Sequence, residues 1–119
     1  MQRPRLLVSL VAVVVAISAG NIGSGHLSGS QASGRRIVAI GDVHGADQNF
    51  AAILRKAGII DDQQRWIAGR TILVQTGDMT DRGAGMRAAL DLLMALEKQA
   101  SDAGGRVYAL LGNHEVMNL

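Results

Sequence analysis

The chain has 119 residues, of which 48% are hydrophobic, with 15 Gly, one Pro and no Cys, and that length allows one domain at most. The missing Cys excludes a disulfide scaffold and a thiolate zinc site, and the composition is neither that of collagen nor that of a charged disordered tail. The net charge of +2 is local: Arg3 and Arg5 are the only charged residues in 1–34, and beyond them 10 basic residues meet 10 acidic ones, so no electrostatic footprint for nucleic acid is expected.

Residues 1–20 read as a signal peptide: two arginines, an apolar run from Leu6 to Ala19 broken only by Ser9 and Ser18, then small residues. The run is 14 residues long, short of the roughly 20 that cross a bilayer. Cleavage near Ala19 or Gly20 is expected to give an exported protein, periplasmic or secreted, whereas an uncleaved leader would tie the chain to the membrane. Residues 21–34 read as a Gly/Ser linker that includes His26.

From residue 35 the pattern is strand, helix, strand, helix, strand. Arg36 to Ile40 (RIVAI), Thr71 to Gln75 (TILVQ) and Val107 to Leu111 (VYALL) are short apolar runs without clean alternation, as expected of parallel strands buried on both faces. Between the first two, Phe50, Ile53, Leu54 and Ala57 recur at helical spacing over Asp47 to Ala57, and Gly58 ends the run. Between the last two, Met86, Leu90, Leu93, Met94 and Glu97 predict a helix over Gly85 to Ala103, ended by Gly104 and Gly105. Trp66 and Ile67 predict a short edge segment, and Met79, Met86, Met94 and Met117 are expected to pack. The fold class is α/β, a βαβαβ unit too small to shield both faces of its sheet, and is therefore expected to be the amino-terminal part, residues 35–119, of a larger domain.

A polar, Gly-led loop follows each strand: GDVHG at 41–45, GDMTDRG at 77–83 and GNHE at 112–115. Asp42 and Asp78 are 36 residues apart and Asp78 and Asn113 are 35 apart, one βαβ repeat each, so the three loops meet at one sheet edge. Asp42 and His44, two apart on extended backbone, point to one side and can grip an ion. Asp78 has two oxygens and can bridge to a second ion, which Asn113 would also ligate. Carboxylate, imidazole and amide ligands suit Mn, Fe or Zn. Two such ions about 3.5 to 4 Å apart would activate a bridging water for attack on phosphorus. Arg82 would clamp phosphate oxygens, His114 would protonate the departing oxygen with Asp81 holding its tautomer, and Glu115 would support the metal site. Turn formation or helix capping explains Asp42, Asp78 and Asn113 taken singly, and a surface ion pair explains Arg82. One GDxHG loop arises by chance about once in 10⁵ positions, so three in order, each after a strand, point to chemistry.

These loops resemble the GDxHG, GDxxDRG and GNHE signatures of the calcineurin-like metallophosphoesterases, in particular the PPP-type protein phosphatases, and GNHEVMNL at 112–119 looks like their bacterial Shewanella-like branch. The resemblance implies Asp42, His44 and Asp78 at a first metal, Asp78 and Asn113 at a second, Arg82 on phosphate and His114 with Asp81 as the acid pair. It also implies a four-layer α/β fold with a β-sandwich centre, and two further His residues and an Arg beyond the GNHE loop, where this sequence has only His26, His44 and His114. Ala84 stands where the family commonly has Pro. The expected function is hydrolysis of a phosphoprotein, on Ser/Thr or Tyr. Alternatives are a diadenosine polyphosphate or small phosphate ester hydrolase, and an inactive metal- or phosphate-binding piece; Asp81 and Glu115 favour the first reading.

Overall fold

The computed structural model describes residues 15–17 and 34–119. The expected linker with His26 lies outside the described residues, as does the expected leader apart from Val15–Ile17. The elements in order are β1 (Val15–Ile17), β2 (Ile37–Ile40), α1 (Asp47–Lys56), β3 (Ile72–Gln75), α2 (Met86–Asp102), β4 (Arg106–Ala109) and α3 (Asn113–Met117). They form one four-stranded sheet in the order β1-β2-β3-β4, parallel from β2 to β4, with β1 antiparallel to β2. The parallel βαβαβ unit is the one expected. β1, which falls within the expected leader, adds an antiparallel strand at the edge of β2, in keeping with the strand-forming character of Val and Ile.

Both helices end as the sequence requires. Gly58 and Gly104 occupy left-handed backbone (φ 66° and 79°) just past α1 and α2. The N–H groups of Ile59 and Gly105 return to the carbonyls of Leu54 and Ala100 at 2.9 and 2.8 Å, closing each last turn.

The unit covers one face of its sheet, as its small size predicts. β2 and β3 alternate, with Val38, Ile40, Leu73 and Gln75 fully buried on one face and Ile37 44% exposed on the other. Two crossovers that run the same way along the sheet place both helices on the same side, and α1 packs on α2 there. The core therefore lies between that face and the helices, built from Val38, Ile40, Phe50, Leu54, Ile59, Leu73, Leu93 and Leu96. The third expected strand is also shorter than Val107 to Leu111: pairing with β3 starts at Arg106 and stops at Ala109, leaving Leu110 and Leu111 exposed.

Helix α1 buries Phe50 and Leu54 as expected, adding Ala51. In α2 the buried stripe is Ala89, Leu93, Leu96 and Ala100; of the expected line of Met86, Leu90, Leu93, Met94 and Glu97, Leu93 is buried and Leu90 packs partly buried against the core, while the other three are exposed. Of the four methionines expected to pack, Met79 is buried; Met86 and Met94 are exposed because α2 turns small Ala89 and Ala100 to the core instead, and Met117, at the end of α3, is exposed as well. Trp66 bridges to Ile60, donates its backbone N–H to Gln99 Oε1 at 2.8 Å and its indole N–H to the Gly69 carbonyl at 3.0 Å, in keeping with an edge segment. Among the described residues, no helix is long and apolar enough to cross a membrane.

This phase of α2 has a direct consequence. Leu96→Ala is expected to cost about 2 to 5 kcal/mol by urea unfolding, and Met94→Ala less than about 0.5 kcal/mol; equal losses would show that the helix is rotated.

Candidate metal centre

The parallel register sets the loops level with one another. Ile40 pairs with Gln75 and Gln75 with Ala109, so all three loops leave the sheet from one rung. They are then laced by backbone. The N–H groups of His44 and Gly45 donate to the carbonyls of Asp78 and Met79 at 2.9 Å each, and the N–H of Gly83 donates to the His44 carbonyl at 2.8 Å. Two of the signature glycines are explained by this closeness: a Cβ on Gly83 would strike the backbone of His44 and Gly45, and one on Gly112 would strike the Asp78 carboxylate.

Asp42, His44, Asp78, Asp81 and Arg82 all have left-handed backbone, with φ of 52°, 47°, 56°, 67° and 72°. That conformation costs a non-glycine residue on the order of 1 kcal/mol or more, and it persists only where the surroundings impose it. The cross-loop hydrogen bonds are that imposition.

The loops bring Asp42, His44 and Asp78 together, each offering a ligand atom that lies within 4.8 Å of the others. Asp42 is exposed, Asp78 half-buried and His44 buried, so the cluster opens to solvent on the Asp42 side. His44 Nδ1 lies 3.1 Å from the Thr80 carbonyl, an acceptor only, so Nδ1 carries the hydrogen and Nε2 keeps its lone pair for a ligand. Two carboxylates and a pre-oriented imidazole are a donor set that fits a divalent transition ion.

The second and third loops also meet here. Asn113 is the first residue of α3, Gly112 before it lies against the Asp78 carboxylate, and the N–H of His114 donates to Asp78 Oδ1 at 3.1 Å. Asp78 thus caps α3 through one oxygen, so the capping and the ligand readings are both compatible with its position. His114 Nδ1 stands 2.9 Å from Asp81 Oδ2. The His114 ring meets the His44 ring edge-on, with centroids 4.7 Å apart. Arg82 is exposed and enters no ion pair among the described residues, so the ion-pair explanation gains no partner.

Glu115 ties the second and third loops. Its carboxylate accepts the N–H groups of Asp78 (2.7 Å), Gly112 (2.8 Å) and Thr80 (2.9 Å), and the Thr80 hydroxyl at 3.0 Å. Burial opposes its ionisation, but those bonds outweigh it and hold the carboxyl down at about 2.

Three participants were not foreseen. Thr80 joins Glu115 to His44, with its N–H and hydroxyl on the carboxylate and its carbonyl on the imidazole. Gln75, fully buried at the end of β3, closes the next turn with two bonds of 2.8 Å to the backbone of Gly77. Asn118 bonds Asp81. Only Gln75 left a signal, an amide ending an otherwise apolar strand.

Because folding lowers the Glu115 pKa from 4.5 to about 2, its stabilisation is complete above pH ~4.5 and disappears as pH falls through about 2. Glu115→Gln should therefore lower the stability of the metal-free protein by about 1 to 3 kcal/mol at pH 7, a gap that closes between pH ~4.5 and ~2. Acid titration of Tm for both proteins checks it, and a gap that stays constant with pH would refute the assignment.

Comparison with known proteins shows the family. Residues 35–118 match the family model described as calcineurin-like phosphoesterase. Over 84 residues the chain is 43% identical to Shewanella-like protein phosphatase 2 of Arabidopsis thaliana, covering 71% of this chain and 22% of that protein. It is 39% identical to Shewanella-like protein phosphatase 1 of Plasmodium berghei, covering 71% of this chain and 23% of that one. The crystal structure of a cold-active protein-tyrosine phosphatase from a psychrophilic Shewanella species superposes with a TM-score of 0.66 at 43% identity, over 68% of this chain and 24% of that one. The chain thus spans about a quarter of the length of these relatives.

Proposed function

The chain belongs to the calcineurin-like phosphoesterase family, and from that membership we propose that the full protein is a metal-dependent phosphatase that hydrolyses phosphoproteins on Ser/Thr or Tyr. The observation that carries this reading is the meeting of two groups of side chains. The cluster of Asp42, His44 and Asp78 lies beside the His114–Asp81 pair, with the two imidazoles in edge contact. The names of the relatives, two protein phosphatases and a protein-tyrosine phosphatase, support the substrate class.

In this reading Asp42, His44 and Asp78 hold a first divalent ion, and Asp78 with Asn113 contributes to a second, the ions being Mn, Fe or Zn. When bound, these ions supply positive charge for phosphate oxygens and lower the pKa of water to about 7. Arg82, exposed at the rim, presents its planar guanidinium to the phosphate, two donors to two oxygens. His114 keeps Nδ1–H on Asp81 and carries the transferable proton on Nε2. As the P–O bond breaks, that proton passes to the departing oxygen, and the Asp81 carboxylate stabilises the imidazolium beforehand. The hydrogen bond from His114, then that from Asn118, keeps the Asp81 carboxyl below its usual range and so able to do this.

Asp78→Asn is expected to abolish both metal loading and turnover, and His114→Asn to lower kcat by ~10²–10⁴-fold with metal retained. Metal analysis alongside steady-state kinetics on a phosphotyrosine or phosphoserine peptide tests this; full activity in Asp78→Asn would defeat the proposal. A dinucleoside polyphosphate assayed in parallel decides the substrate, since preferential hydrolysis of it would replace the phosphoprotein reading.

We also infer export through cleavage of residues 1–20. The pairing of Val15–Ile17 with β2 and cleavage near Ala19 exclude one another in a single molecule. The amino-terminal mass of the protein recovered from its producing cells is expected to begin near Asn21; a start at Met1 would overturn the inference.

A further inference from the structure

Asn118 stands at the end of α3, one helical turn after His114, and its side-chain amide faces four oxygens. They are the His114 backbone carbonyl at 2.9 Å, Asp81 Oδ1 and Oδ2 at 3.2 Å each, and the Thr80 hydroxyl at 3.4 Å. The Thr80 hydroxyl spends its own hydrogen on Glu115, so it too can only accept here. Every neighbour of the amide nitrogen is then an acceptor, which fixes the amide with its NH₂ toward Asp81.

Asp81 needs such a restraint. Its backbone is left-handed at φ 67°, its side chain is 40% exposed, and among the described residues the side chains that bond its carboxylate are His114 and Asn118. With His114 alone, one bond would hold a carboxylate that water can reach. Asn118 adds a bond shared between both carboxylate oxygens and, through the His114 carbonyl, anchors the same amide to the helix that carries the imidazole.

We propose that Asn118 is a positioning residue, which holds the Asp81 carboxylate against His114 Nδ1 and thereby fixes which ring nitrogen faces the departing oxygen. The carboxylate can only accept, so the hydrogen stays on Nδ1 and Nε2 is left for proton transfer. This rests on the reading of His114 as the proton donor.

The test uses the full chain, labelled with ¹⁵N-histidine, as wild type, Asn118→Ala and Asn118→Asp. The last keeps the shape and puts a second negative charge against Asp81. At alkaline pH, where the ring is neutral, the wild type is expected to show His114 as the Nδ1–H tautomer alone, and both variants a mixture. Kinetically, both should lose about 10-fold in kcat on a phosphate ester with a poorly acidic leaving group, with KM and metal content unchanged. Loss should be smaller on p-nitrophenyl phosphate, whose leaving group departs without a proton. An unchanged single tautomer in Asn118→Ala, or equal losses on both substrates, would overturn the proposal. If His114→Asn keeps full kcat on the poorly acidic leaving group, the proton-donor reading fails, and the ¹⁵N signature still judges the Asn118–Asp81–His114 arrangement by itself.

Discussion

The Glu115 carboxylate holds together the parts of the site that the sheet alone does not join. Three parallel strands deliver three loops to one rung, and Val43 and Met79 seat the first two in the core, but the polar and glycine residues around them need further ties. One carboxylate taking the N–H groups of Asp78, Thr80 and Gly112 and the Thr80 hydroxyl converts the second and third loops into one body. Charge-assisted bonds of this kind are about twice as strong as neutral ones. The first loop joins that body by backbone, through His44 and Gly45 on Asp78 and Met79.

That binding permits the strain. Five neighbouring non-glycine residues of the site, Asp42, His44, Asp78, Asp81 and Arg82, have left-handed backbone. An unrestrained loop would relax each toward the right-handed or extended region. Here the left-handed turns accompany the meeting of the Asp42 and Asp78 carboxylates with the His44 imidazole, and the glycines between them remove the Cβ atoms that would keep the loops apart.

Two chains of hydrogen bonds then orient the two imidazoles. Glu115 fixes Thr80, whose carbonyl fixes His44; Asn118 bonds Asp81, whose carboxylate takes His114 Nδ1. Both chains pass through the segment from Thr80 to Asp81, so the proposed metal-holding ring and the proposed proton-donating ring share a support. Their edge contact is the place where the chains meet.

Much of this was legible in the residues. Apolar β-branched runs, helical spacing and glycine stops are local physics, and they determined the βαβαβ order, the helix ends at Gly58 and Gly104, and the common edge for Asp42, His44, Asp78, Asn113, Asp81, Arg82 and His114. The side of α2 that is buried was decided by packing, because Ala89 and Ala100 admit a closer approach than Met86 and Met94 allow, and the covered face of the sheet by the common direction of the two crossovers. The roles of Thr80, Gln75 and Asn118 likewise belong to the tertiary structure alone. Hydroxyl and amide groups bond whatever lies within about 3 Å, and what lies there is set by segments more than thirty residues away, or in Gln75 by the shape of the turn it closes.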